Sequence, residues 1–61
     1  MSTRRLAAHL VMRGHTAWLD GRWRAVSYSE KETHGRESWY VIYSGGWRRS
    51  YALDELITVQ V

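Results

Sequence analysis

The dipeptide Asp20-Gly21 separates Thr16–Leu19 (TAWL) from Arg22–Ser29 (RWRAVSYS). A second break, Gly45-Gly46, separates Glu37–Ser44 (ESWYVIYS) from Trp47–Ala52 (WRRSYA). A two-residue type I′ turn needs positive φ at both central positions, and these dipeptides tolerate that. The flanking runs are rich in Trp, Tyr, Val and Ile, which suit a pleated surface. Two tight hairpins therefore claim most of the chain and leave little room for helix. Of the remaining segments, Leu6–Met12 fits either a helical face shared by Leu6, His9 and Leu10 or a strand ending at Gly14, with a strand over 8–13 favoured, and Glu30–Arg36 reads as a charged loop containing Gly35. A short 3₁₀ turn at Leu53–Leu56 (LDEL) then precedes a closing strand, Ile57–Val61.

The chain has 61 residues, so residues 1–61 form a single domain, with residues 1–6 as a flexible basic arm. A chain this short buries only about 60% of its unfolded surface. It has no cysteine, so no disulfide supports the fold. His9, His15 and His34 have no zinc-ligand spacing, so neither a metal nor any other cofactor is expected. What remains is an aromatic core. Four Trp and four Tyr stand beside no Phe, and each buried aromatic removes roughly 150–250 Å² from water. A small open sheet would expose long edges, so closure is expected. Strand order and the late 3₁₀ turn together predict an all-β, five-stranded SH3-like small barrel.

The strand Glu37–Ser44 is apolar on both faces. Trp39, Val41 and Tyr43 share one, and Tyr40 and Ile42 share the other. Val41 makes the first the expected core face. So small a barrel cannot hide eight aromatics, and Trp23, Tyr40 and Trp47 are expected to be partly exposed.

The run W-L-D-G-R-W-R-A-V, then W-Y-V-I-Y-S-G-G-W, then L-D-E-L resembles the Tudor/chromo-barrel branch of the SH3-like superfold over about residues 15–57. The resemblance implies a binding module. Small barrels of this kind read methylated lysine, bind nucleic acids or make plain protein contacts. A Tudor-type reader carries an acid beside its aromatic cage, and the acids within range are Asp20, Glu37 and Asp54.

The net charge is +3. Residues 1–29 hold five arginines against the single acid Asp20. This is a mild basic bias, weaker than the stripe of a strong DNA binder. Ser27, Ser29, Ser44 and Ser50 are candidate nucleophiles only in being hydroxyls, the histidines have no obvious carboxylate partner in sequence, and no Gly-rich phosphate loop occurs. The chain therefore reads as a non-enzymatic binding protein. In the first expectation, Arg22, Arg24, Arg48 and Arg49 contact nucleic-acid phosphates while Trp23 and Trp47 stack on bases. In the alternative, Trp18, Tyr40 and Trp47 form a protein- or peptide-binding surface, where a cationic ligand would gain cation–π contacts. An exposed apolar face also makes a homodimer an expected form. No apolar run is long enough to span a bilayer, so no membrane partner is expected. Size and composition suggest a small cytoplasmic regulator of the kind phages and mobile elements encode.

Overall fold

The computed structural model describes residues 2–61. Its elements are β1 (Thr3–Ala7), a 3₁₀ helix (Ala8–Leu10), β2 (Thr16–Leu19), β3 (Arg22–Ala25), β4 (Tyr28–His34), β5 (Glu37–Ser44), β6 (Trp47–Tyr51) and β7 (Leu56–Gln60). The protein is all-β, with a four-stranded sheet ordered β1-β7-β2-β3 and a three-stranded sheet ordered β4-β5-β6. Every pairing is antiparallel.

Both hairpins form where their turn residues demand. Asp20 and Gly21 take φ of 54° and 79°, the positive pair of a type I′ turn. This sets Trp18 opposite Trp23. The Gly45-Gly46 turn sets Ser44 opposite Trp47.

The two sheets meet at one corner. Val26 N–H donates to the His15 carbonyl at 2.8 Å, extending the β2–β3 ladder. Ser27 N–H donates to the Tyr43 carbonyl at 2.9 Å, which opens the β4–β5 ladder. Thus β3 and β4 are two halves of one bent strand serving both sheets. The return strand expected over 22–29 is this strand, broken at Val26-Ser27 and running on to His34.

Several expectations are corrected. Among the described residues there are seven strands in two sheets, not five in one closed ladder. Residues 8–13 are not a strand. Ala8 N–H donates to the Glu55 carbonyl (2.8 Å) and His9 N–H to the Leu53 carbonyl (3.1 Å). These bonds tie the segment to the turn before β7 and wind it into a 3₁₀ helix. The expected 3₁₀ turn at Leu53–Leu56 is instead one hydrogen-bonded turn, with Glu55 N–H donating to the Ala52 carbonyl at 3.1 Å. The expected flexible arm is largely β1, paired with β7 from Thr3↔Gln60 to Ala7↔Leu56; its first residue, Met1, lies outside the described residues. The expected charged loop is mostly strand, because Glu30 to His34 pair with Val41 to Glu37. Its turn shrinks to Gly35-Arg36, where Gly35 has φ of 61°.

The core face of β5 is the reverse of the one expected. Ile42 is completely buried and clusters with Val11, Leu19 and Val59, and Tyr40 and Trp47 pack against that cluster. Ala8 and Val11, both fully buried, plug the same side, which is why Ile42 points there. Val41, although buried, lies on the opposite face and outside the cluster.

The Tyr51 hydroxyl is buried without a hydrogen-bond partner. An unsatisfied buried hydroxyl costs about 1–3 kcal/mol. Tyr51→Phe is therefore expected to raise stability by about 1 kcal/mol in urea denaturation. Burial also pushes the Tyr51 phenol above its ordinary 10.0. A raised folded value means the stability is intact below pH 10 and is lost as pH climbs through that value. The phenylalanine variant should lose less in alkali; an equal loss would show that Tyr51 has no part in the alkaline transition.

Candidate functional site

The expected site residues divide among three places. On the outer face of the four-stranded sheet, Trp18 and Trp23 sit cross-strand with ring centroids 5.3 Å apart, edge to face. They remain 49% and 36% exposed. The β2–β7 register, Ala17↔Val59, puts Thr58 beside Trp18 in the next cross-strand row. Arg5 pairs with Thr58 on β1. Arg5, Thr58, Trp18 and Trp23 therefore form one row across all four strands, on one face. By strand alternation no carboxylate projects from this face. Arg5 is exposed on its β1 margin; Arg22, exposed on β3, pairs with Leu19 and by the same alternation projects to the opposite side.

The second place is the gap between β3 and the β5–β6 hairpin, where no backbone ladder runs. Side chains bridge it. The Arg24 guanidinium lies 4.3 Å from the Trp47 ring centroid, and its Nε donates to the Leu19 carbonyl at 3.2 Å. Arg49 stands 5.5 Å from the Tyr51 ring and 3.9 Å from the Asp20 carboxylate. Arg24, Trp47 and Arg49 are thus engaged in joining the sheets. A phosphate would have to compete with those contacts.

The third place is the outer face of the three-stranded sheet. Tyr28, Glu30 and Glu32 on β4 flank Tyr43, Val41 and Trp39 on β5. Arg48 and Ser50 on β6 lie beyond. The Tyr28 and Tyr43 hydroxyls each donate to one oxygen of Glu30, at 3.1 Å. The bond to Glu30 and its negative charge raise the Tyr28 phenol above its ordinary value. His34 stacks on Trp39 with centroids 5.1 Å apart. Glu32, Trp39, Val41, Arg48, Arg49 and Ser50 line an open groove of about 540 Å³.

The six residues expected to bind nucleic acid are not gathered on one face. Trp23 joins Trp18, Arg24 joins Trp47, and Arg48 lies on the other sheet. Nor are Trp18, Tyr40 and Trp47 brought together, since the last two pack against the core. Sequence reasoning did not single out Arg5 and Thr58, or the Tyr28–Tyr43–Glu30 cluster. The Trp18–Trp23 pairing had a signal, because a two-residue turn at 20–21 fixes it. Among the described residues no group of three or more His, Cys, Asp or Glu is placed to hold a metal ion. Among the described residues no helix is long and apolar enough to cross a membrane. No family model, curated protein or solved structure matches the chain.

Proposed function

We propose that the protein is a non-enzymatic binder of single-stranded nucleic acid, with the outer face of the four-stranded sheet as its platform. One observation carries this reading: two exposed tryptophans stand side by side on a sheet face that bears an arginine and no acid. Aromatic rings on an open sheet take successive bases by stacking, because every base has a π-face. Arg5, at the β1 margin, would contact a phosphate beside the stacked bases. Thr58 supplies a hydroxyl between Arg5 and Trp18. The bent strand shared by two sheets supports placing the fold with SH3-like small barrels, the architecture the sequence suggested. Folds of that kind serve many ligands, so the functional reading rests on the face itself.

The test is a tryptophan-fluorescence titration with a 12-nucleotide DNA or RNA strand at low and moderate salt. Stacking predicts quenching, and Trp18→Ala should weaken binding about tenfold or more, within the roughly 1–3 kcal/mol per stacked base. Arg5→Ala should flatten the salt dependence by about one phosphate contact. Trp18 is half exposed, so its removal should leave the far-ultraviolet circular dichroism unchanged. Absence of quenching at low salt, or full affinity in Trp18→Ala, sets the reading aside.

A further inference from the structure

We infer that the outer face of the three-stranded sheet docks on the same face of a second copy of this chain, forming a two-fold dimer. The face has an apolar middle and oppositely charged margins. Its middle strand, β5, presents the partly exposed Trp39 and Tyr43 on either side of the buried Val41. On one side β4 carries Glu30 and Glu32; on the other β6 carries Arg48. Among the described residues neither Glu32 nor Arg48 has an ion-pair partner; the one pair found is Arg49 with Asp20. Tyr28, at the acidic margin, is 54% exposed.

This layout is self-complementary. A two-fold axis along β5 turns one copy over onto the other. It carries each acidic β4 above the partner's basic β6, and it brings the two β5 strips together. Every contact then occurs twice, as an isologous interface requires. Glu30 lies one cross-strand row from Arg48: Glu30 pairs with Val41 and Val41 with Ser50, whereas Tyr28 pairs with Tyr43 and Tyr43 with Arg48. That offset is two residues along a strand, about 6.6 Å, which an extended arginine side chain can span. The hydroxyls of Tyr28 and Tyr43 already hold the Glu30 carboxylate in place. A nucleic acid suits this face poorly, because its phosphates would meet Glu30 and Glu32. A uniformly cationic partner would meet Arg48. A second copy satisfies both margins.

Size sets the expected strength. Three strands about 4.8 Å apart and eight residues at about 3.3 Å each cover roughly 400 Å² per copy. Standard interfaces bury about 800 Å² per partner. The dimer should therefore be weak and concentration-dependent.

Sedimentation equilibrium from 10 µM to 1 mM tests this directly. The weight-average mass should rise from 7.2 kDa toward twice that value, less steeply in high salt. Arg48→Glu and Glu30→Arg, each checked for folding by circular dichroism, should each weaken association at least tenfold. The double variant carrying both reversals should recover to within about threefold of the parent, because the charges are exchanged rather than removed. A chain that stays monomeric at 1 mM overturns the inference and leaves the face to a different partner. So does a dimer that none of the reversals affects.

Discussion

Ile42→Ala is expected to remove about 2–5 kcal/mol of stability at 25 °C. Ile42 is completely buried at the centre of the cluster formed with Val11, Leu19 and Val59. Truncating a buried isoleucine to alanine costs about 2–5 kcal/mol, the lost transfer energy plus the cavity left behind. At about 0.05–0.15 kcal/mol per residue, a chain this long has only about 3–9 kcal/mol of stability to lose. One side chain therefore accounts for much of the margin. No disulfide makes up the deficit, since there is no cysteine. The milder Ile42→Val should cost about 0.5–1.5 kcal/mol and keep the fold. Urea midpoints of the two variants should fall in that order. A loss under about 0.5 kcal/mol in both would mean that the Ile42 face is not the core.

That prediction concerns the point where sequence and structure part most clearly. The strand Glu37–Ser44 was legible to the residue, because a β-rich run ends at a Gly-Gly turn. Its orientation was not. Both faces are apolar, so alternation could not choose between them. The choice is made by Ala8 and Val11, which cover the Ile42 side. They do so because the N-terminal 3₁₀ helix is bonded to the turn before β7, a contact spanning more than forty residues. The run Glu30–His34 was hidden for another reason. Its charges suggest a loop, but charge along a strand only requires that charged side chains reach solvent or partners. Glu30 does so through two tyrosines, and Lys31 is exposed to solvent. Of the candidate sites, the Trp18–Trp23 pair follows from the turn centred at 20–21. The long-range row to Arg5 depends on β1 and β7, and no local pattern announces that pairing.

Trp47→Ala should be the second most damaging change, costing about 2–3 kcal/mol, and the loss should be one of folding. As an exposed binding residue, Trp47 could be removed without harm to the fold. Its surroundings argue otherwise. The ring packs against the buried cluster and carries the Arg24 guanidinium 4.3 Å from its centroid. Complete burial of a tryptophan would put the loss at about 3–5 kcal/mol, and partial exposure moves it to or below the lower end. Arg24→Ala should cost less, about 1 kcal/mol, from the stacked contact and the bond to the Leu19 carbonyl. The two losses should not add. A double-mutant cycle should return a coupling of about 0.5–1 kcal/mol, the part that exists only while cation and ring are both present. Zero coupling would mean that Arg24 and Trp47 do not meet in solution, and the gap between β3 and the β5–β6 hairpin would need another explanation. A normal fold in Trp47→Ala would return this ring to the candidates for ligand contact. The expected result does the opposite. It takes Trp47 and Arg24 out of the binding surface and leaves Trp18 and Trp23 as the exposed tryptophans that can meet a ligand.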